Sequence, residues 1–289
     1  MTLTQPISEA AEAGSEAEIE AIVLRAGSSF YWAMRRLPDE KRRAMYAIYA
    51  FCREVDDIAD EPGAIDEKRA GLAMWRGEIE RLYGEQPRHL ISRALLGPVE
   101  KYGILKNDFR DVIDGMETDA QEAVRIASMA ELETYCDRVA SAVGRMSVRV
   151  FGVPESLGVR LADAQGQALQ LTNILRDVKE DAGRNRLYIP RDLLISHDID
   201  ADDIDAVIAD PALADVCELL SLTAARRYAE ARDLIKQCRR DQVRPAIMMM
   251  EVYSQILDKL MRRGWRDLSK PVHLSKIEKA WTALRFGLL

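Results

Sequence analysis

Two stretches of the sequence place acidic side chains at a helical spacing. Asp56 and Asp60 are four residues apart in the first stretch, and Asn173, Asp177 and Asp181 follow the same interval in the second. On an α-helix, residues four apart lie one turn along and about 40° around from each other. Each set would therefore form a row on one face of a helix, where carboxylate and amide oxygens could hold a hard divalent cation.

Two such rows that face each other would suit Mg²⁺ bound together with a diphosphate. Mg²⁺ keeps several waters and is usually held by one or two carboxylates plus the phosphates of a substrate. The metal would neutralise the charge that a diphosphate leaving group gains as its C–O bond breaks. Without a cation, two carboxylates ~6 Å apart repel by about 3 kcal/mol at an effective dielectric constant of about 20. Burial of the rows would therefore demand a cation, whereas exposure would not.

The same spacing also has a simpler interpretation, as the solvated face of an amphipathic helix. Acids four residues apart are common, and both rows lie on the polar arc of helices whose opposite arc is apolar. What favours chemistry is that both stretches combine the acidic row with aromatic, arginine or amide side chains. These accompanying residues are Tyr49 and Arg53 in the first stretch, Gln170 and Arg176 in the second, and Arg184, Arg186 and Tyr188 after it.

The elements that must position these residues are helices, and the fold class is all-α. Apolar residues recur at helical intervals almost throughout the chain, whereas alternating β-branched runs are sparse. Pro38, Pro62 and Gly183 separate the periodic segments. The pattern predicts helices over residues 18–35, 39–61, 65–84, 89–103, 107–119, 130–151, 154–182, 212–239, 243–264 and 274–285.

Composition bounds the domain organisation and the class of partner. No change in composition divides the 289 residues, so we expect one helical domain over 18–289 after a flexible leader at 1–17. The leader lacks a signal-peptide pattern, the four cysteines form no CxxC pair, and no apolar run approaches the roughly 20 residues that span a bilayer. We therefore expect a soluble cytoplasmic protein. Its formal net charge of −7 argues against nucleic acid as a partner.

The sequence resembles the squalene/phytoene synthase family, and the resemblance follows most of the chain in order. It runs through 28–31, 42–60, 135–144, 170–181 and 186–190, and the second acidic stretch is its most specific part. Within the family, the segments at 54–57, 114–117 and 182–190 are most similar to the bacterial hopanoid-pathway enzymes that make presqualene diphosphate.

The resemblance implies an isoprenoid synthase fold, in which helices surround a central cavity and Mg²⁺ lies between the acidic rows. It implies Mn²⁺ as a substitute metal and no requirement for NADPH. The metal ligands that it implies are Asp56, Asp60, Asn173, Asp177 and Asp181, and the diphosphate ligands are Arg53, Arg176 and Arg186. Arginine suits that role because its fixed charge and planar donors match phosphate oxygens.

Other site residues follow from the same resemblance. Tyr49, Gln170 and Tyr188 would line the site, and Tyr135 would steer the cation or its loss of a proton. A half-buried packing role is the alternative for each tyrosine. Phe30, Ala140, Leu169 and the run at 247–250 would either line a tunnel for prenyl chains or belong to an ordinary core.

The implied reaction joins two molecules of farnesyl diphosphate head to head, giving presqualene diphosphate for a downstream enzyme of the squalene pathway. The alternatives are a phytoene, dehydrosqualene or complete squalene synthase and, in a different class, a non-catalytic helical assembly protein. Intact acids in both rows argue against the last. The basic helix end at Arg262, Arg263 and Arg266, beside Trp265, would either contact an anionic membrane peripherally or be solvated.

Overall fold

The computed structural model describes residues 9–26, 29–268, 270–275 and 278. The fold is helical, as the periodicity predicts, and it is built around one long helix, α9 (Glu155–Gly183). At 1.5 Å per residue, its 29 residues span about 43 Å. The helices are α1 Glu9–Arg25, α2 Ser29–Met34, α3 Asp39–Asp60, α4 Ile65–Tyr83, α5 Leu90–Tyr102, α6 Lys106–Asp119, α7 Met129–Cys136, α8 Ala142–Phe151, α9, α10 Arg191–Ile195, α11 Ile204–Ala209, α12 Leu213–Ile235 and α13 Arg240–Arg263.

Helix α9 packs against α8, α12 and α13, and its buried residues include Leu171, Ile174 and Leu175. On the other side of the bundle, α3 contacts α5, α6 and α8 and buries Ile48, Phe51 and Val55. These spacings of three, four and seven residues are those of an amphipathic helix with one apolar face. Because the apolar faces of both helices point into the core, their polar faces are left for the site.

Two short strands lie beyond the predicted helices. Strand β1 (Val124–Arg125) pairs in parallel with β2 (Arg186–Leu187), which follows α9 directly. The pairing is backed by the Val124 amide, which donates to the carbonyl of Asn185. This small sheet fixes the segment that carries Arg186 next to the end of α6.

Two helix predictions are wrong in their bounds. The predicted helix 18–35 is divided into α1, which already begins at Glu9, and α2, and Gly27 lies between the two. Glycine disfavours the helix interior by about 1 kcal/mol relative to alanine. Residues 1–8 of the predicted leader and most of the predicted helix 274–285 lie outside the described residues.

The predicted helix 130–151 is interrupted by a π-helical turn at Asp137–Ser141, between α7 and α8. Gly166 of α9 packs directly on this turn, since a Cβ atom at Gly166 would lie 2.7 Å from the backbone of Ser141. Single π-helical turns inside α-helices are often found at functional sites. Here the turn carries Val139 and Ala140 into the wall of the central cavity.

Candidate active site

A cavity of about 260 Å³ lies between α3, α8, α9 and α13. Tyr49 and Cys52 of α3 face Gln170 and Asn173 of α9 across it. Asp56 lies one turn beyond Cys52, and Asp177 lies one turn beyond Asn173. The two acidic rows therefore flank the same end of the cavity, which places a polar mouth on an apolar interior.

The apolar interior of the cavity contains several of the residues that the sequence assigns either to a tunnel for prenyl chains or to an ordinary core. Phe30, Ala140, Leu169 and Met249 line the cavity, and Phe30 also packs against Tyr49 with 6.0 Å between the ring centroids. Met248 is buried in a small cluster with Ala33 and Met249. The wall is completed by side chains from α2, α3, α8, α9 and α13, among them Met34, Met45, Ile48, Val143, Val148, Phe151, Leu161, Pro245 and Tyr253.

Asp56 and Asp60, which we call the α3 row, are held by arginines. Arg53 bonds Asp56 at 2.9 Å and also pairs with Asp57. Asp60 accepts from Arg186 at 2.6 Å and lies 3.4 Å from Arg184. The arginines that the sequence assigns to the site thus meet the carboxylates directly.

Asn173, Asp177 and Asp181, which we call the α9 row, have fewer partners. Arg176 forms a two-pronged contact with Asp177, at 2.7 and 2.5 Å. The Asn173 amide nitrogen donates to Gln170 at 3.3 Å, whereas its Oδ1 atom is buried without a hydrogen-bond partner among the described residues. The Asp181 carboxylate forms no ion pair with any residue that the structure describes.

One carboxyl group in each row has a raised pKa. Burial raises the pKa of Asp56 to about 6, with the charges of Asp60 and Asp57 adding to the effect while Arg53 and Arg186 oppose it. Burial, with the neighbouring charge of Asp177, raises the pKa of Asp181 to about 7. These shifts mean that negative charge is incompletely compensated at the mouth of the cavity.

Behind the rows lies a buried layer that sequence reasoning missed, centred on Asp119 at the end of α6. Tyr188 donates to Asp119 Oδ1 at 2.6 Å, and Tyr135 donates to Oδ2 at 3.0 Å. Burial raises the pKa of Asp119 to about 7. Tyr135 and Tyr188 are therefore packed behind the acids and do not line the cavity wall. Asp119 lies on a different helix from both acidic rows, so helical spacing does not connect it with them. Only its position close to the motif at 114–117 could have drawn attention to it.

The residues at the mouth fit a hard divalent cation. The buried Asn173 oxygen has no hydrogen-bond partner among the described residues, and the pKa values of Asp56 and Asp181 are raised, so a cation would satisfy the oxygen and favour the ionised carboxylates. In the described part of the chain, no group of three acidic, histidine or cysteine side chains converges as a complete metal cage. Mg²⁺ requires no such cage, because waters and substrate phosphates supply much of its octahedral shell.

Trp265, beside the basic end of α13, is a packing residue and not a surface residue that could contact a membrane. Trp265 is buried, and its indole nitrogen donates to the carbonyl of Leu175 at 3.1 Å. Arg263 donates to the carbonyls of Gly264 and Lys270. Among the described helices, none is both long and apolar enough to cross a bilayer. Trp265 thus serves the packing of α9 and cannot insert into a lipid interface.

The sequence matches known proteins over nearly its whole length. The family model for squalene/phytoene synthase matches residues 23–278. The presqualene diphosphate synthase of Sinorhizobium fredii is 44% identical over 279 residues, which are 96% of this chain and 99% of the relative. The presqualene diphosphate synthase of Rhodopseudomonas palustris is also 44% identical, over 91% of this chain and 94% of the relative.

Solved structures show the same architecture. A dehydrosqualene synthase in complex with a ligand superposes with a TM-score of 0.82 and 26% identity, covering 96% of both chains. A squalene synthase from Alicyclobacillus acidocaldarius superposes with a TM-score of 0.78 and 25% identity, covering 86% of this chain and 94% of that one. The fold around the two acidic rows is thus the isoprenoid synthase fold. The chain belongs to the squalene/phytoene synthase family.

Proposed function

We propose that this protein is a presqualene diphosphate synthase, which condenses two molecules of farnesyl diphosphate head to head and releases one diphosphate. The observation that carries the proposal is the pair of acidic rows with their arginines at the mouth of an apolar cavity. Relatives that are 44% identical over 94–99% of their own length are presqualene diphosphate synthases, which supports the choice of product.

The reaction divides into two chemical events. In the first, the C1–O bond of one farnesyl diphosphate breaks, and the diphosphate leaves with the electron pair. In the second, the allylic cation is attacked by the 2,3 double bond of the other molecule, and loss of a proton closes a cyclopropane. The second diphosphate stays on the product, so one diphosphate and one proton are released in each cycle.

Mg²⁺, or Mn²⁺ in its place, would supply charge neutralisation for the leaving diphosphate. Asp56 and Asp60 would hold it from α3, and Asn173, Asp177 and Asp181 would hold it from α9, some of them through water. The guanidinium groups of Arg53, Arg176 and Arg186 would bind phosphate oxygens. Each of these arginines lies within 2.9 Å of an acid in one of the rows, so each guanidinium group is held beside the carboxylates that would hold the metal.

The apolar wall would hold the prenyl chains. Phe30, Tyr49 and Met249 border the cavity, and the packing of Phe30 against Tyr49 joins the polar mouth to the apolar interior. An allylic cation in this space would be shielded from water, which would otherwise capture it as an alcohol. The aromatic faces of Phe30 and Tyr49 would stabilise its positive charge.

The stoichiometry of diphosphate release tests the proposal against its relatives. Purified protein with farnesyl diphosphate, Mg²⁺ and NADPH should release one diphosphate for every two substrate molecules consumed. A phytoene, dehydrosqualene or complete squalene synthase releases two, because presqualene diphosphate or its C40 counterpart ionises again. A ratio of two would contradict the proposal in favour of one of those enzymes. No release at all would favour a non-catalytic assembly protein of the same fold.

Peripheral contact with a membrane is a separate proposal, which follows from the insolubility of a C30 product in water. The buried Trp265 gives it no support, so the contact would depend on other surfaces and on the charge of Arg262 and Arg266. Co-sedimentation with anionic vesicles, compared with neutral vesicles, tests it. Equal recovery in the two pellets, at the level without vesicles, would contradict it.

A further inference from the structure

The carboxylate of Asp119 is buried, with only 7% of the residue exposed, and it is shared by two tyrosines. Tyr188 and Tyr135 each donate their hydroxyl to a different carboxylate oxygen, at 2.6 and 3.0 Å. Their rings stack with 4.9 Å between centroids and 25° between planes. Each carboxyl oxygen of Asp119 therefore accepts from a different tyrosine hydroxyl.

The backbone of the same residue holds an arginine. Arg186 donates through Nη2 to the carbonyl of Asp119 at 2.9 Å and to the carbonyl of Ala59 at 3.2 Å. Through Nη1 it donates to Asp60 at 2.6 Å. The guanidinium therefore joins the C-terminal ends of α3 and α6.

Arg186 and Tyr188 are two residues apart on an extended segment, so their side chains leave it on the same face. Asp119 accepts a hydrogen bond from each of them, from Arg186 through its carbonyl oxygen and from Tyr188 through its carboxylate. A pair of contacts from one residue to positions i and i+2 fixes the translation and the rotation of the segment. The burial of Arg186, of which 8% is exposed, leaves its guanidinium little other freedom.

We infer that Asp119 is a positioning residue, which fixes Arg186 in the geometry that receives a substrate diphosphate at the α3 row. The inference deepens the proposed function, since it rests on the role of Arg186 as a diphosphate ligand. In this proposal, the Asp119 carboxylate sets the affinity for diphosphate by acting through Arg186 and without contacting the diphosphate itself. The Asp119 side chain also favours the charged guanidinium of Arg186 electrostatically.

Asp119→Asn separates positioning from bulk packing because the two side chains have the same shape. The amide keeps one acceptor oxygen and places an NH₂ donor where the other oxygen was, so one of the two tyrosines loses the oxygen to which it now donates. It also removes the charge that faces Arg186. Calorimetric titration of the protein plus Mg²⁺ with inorganic diphosphate measures the effect without turnover. We expect the affinity of Asp119→Asn to fall about tenfold, and KM for farnesyl diphosphate to rise more than kcat falls.

The matched control is Asp108→Asn, on the same helix. Asp108 is equally buried and pairs with Arg145 at 2.6 Å, away from the acidic rows. It should lower the melting temperature and leave diphosphate affinity unchanged. Tyr188→Phe, which removes one hydrogen bond and keeps the carboxylate, should lower the affinity about threefold. This variant decides the matter if Asp119→Asn fails to fold.

A double-mutant cycle with Arg186→Gln distinguishes the inference from the function on which it rests. If Asp119 acts through Arg186, adding Asp119→Asn to Arg186→Gln should cause no further loss of affinity. Parental affinity in Asp119→Asn or in Tyr188→Phe, or full additivity in the double variant, would overturn the positioning role. Parental affinity in Arg186→Gln alone would instead refute the assignment of Arg186 to the diphosphate site.

Discussion

The two acidic rows have the same spacing but different electrostatic surroundings. In the α3 row, Arg53 pairs with Asp56, while Arg184 and Arg186 both reach Asp60. In the α9 row, only Asp177 has a guanidinium partner among the described residues, and Asp181 faces further acids. Both acids of the α3 row thus have guanidinium partners, although the pKa of Asp56 is still raised, whereas Asp181 in the α9 row has no such partner among the described residues.

This difference indicates which row would contribute more to metal binding and which more to diphosphate binding. A cation gains most where negative charge is least compensated, which is at Asp181 and at the unpartnered oxygen of Asn173. The arginines of the α3 row gain most from an anion, which would replace the carboxylates that now occupy them. We therefore expect the α9 row to dominate metal binding and the α3 row with its arginines to contribute more to diphosphate binding.

The largest expected effect comes from removing one carboxylate charge in either row. Asp56→Asn and Asp177→Asn should each lower turnover by about 100-fold or more, because charge stabilisation of the leaving group is lost. Helical circular dichroism should barely change, since both side chains are partly exposed. Asp233→Asn, at an exposed acid of α12 whose one ion-pair partner among the described residues is Lys236, is the control and should keep full turnover. Near-parental turnover in either row variant would remove the metal-site assignment.

The contrast between the rows is sharpened by the stability of two further variants in the absence of metal. Asp60→Asn leaves the buried Arg186 without its carboxylate and should lower the free energy of unfolding by about 1 kcal/mol. Asp181→Asn removes a charge that burial and Asp177 disfavour, so it should raise that free energy. Urea unfolding at pH 8 with EDTA measures both. Equal destabilisation in the two variants would mean that the rows do not differ as described.

Much of this arrangement could be predicted from the sequence, and the reasons for the rest are physical. The rows were predictable because helical periodicity fixes which residues share a face. Asp119 was not, because the contacts with Tyr135 and Tyr188 join α6 to segments 16 and 69 residues away. The pairing of β1 with β2 was missed because two residues per strand leave no alternating pattern to read. The π-helical turn was missed because it depends on the close packing of Gly166 against Ser141.

The assignment of individual residues shows the same limit. Tyr49 and Gln170 line the cavity, as the resemblance implies, because they lie on the same helix faces as the acids. Trp265 follows the basic end of α13 in the sequence, and it packs on α9 after the chain turns at Gly264, whose φ of 72° lies in the left-handed region. Helical spacing predicts neighbours on one helix, but it does not predict where the chain goes once the helix has ended.

A smaller effect is expected in the pH dependence of stability. The pKa of Asp181 is about 7 in the folded protein and near its ordinary value of 3.8 when unfolded, so folding takes up a proton between these values. The stability contributed by protonated Asp181 is complete below about pH 4 and is lost as the pH rises through 7. The gain in unfolding free energy of Asp181→Asn over the parent should therefore grow from pH 5 to pH 8 with EDTA.

Added Mg²⁺ should reverse that trend in the parent, because metal binding requires the ionised carboxylate and becomes tighter as the pH rises. Asp233→Asn should differ from the parent by a constant amount over the same pH range. A difference between Asp181→Asn and the parent that does not vary with pH would contradict the assignment of raised pKa to this group.

The smallest expected effect is that of the predicted leader. Among the α1 side chains whose burial is described, residues 16–25, Ile19 and Val23 are buried, so deletion of residues 1–15 leaves them in place, together with the ion pair between Glu16 and Arg43. Turnover and melting temperature should remain close to those of the full chain. A large fall in turnover at an unchanged melting temperature would show that the leader takes part in the reaction.

The product formed with and without a hydride donor decides whether the reaction stops at presqualene diphosphate. Farnesyl diphosphate and Mg²⁺ should give presqualene diphosphate by mass analysis, and addition of NADPH should leave that product unchanged. Complete squalene synthesis needs a second ionisation and then a hydride from a nicotinamide held beside the cation. Squalene formed only when NADPH is added would contradict the account, and so would a C40 product formed in preference from geranylgeranyl diphosphate.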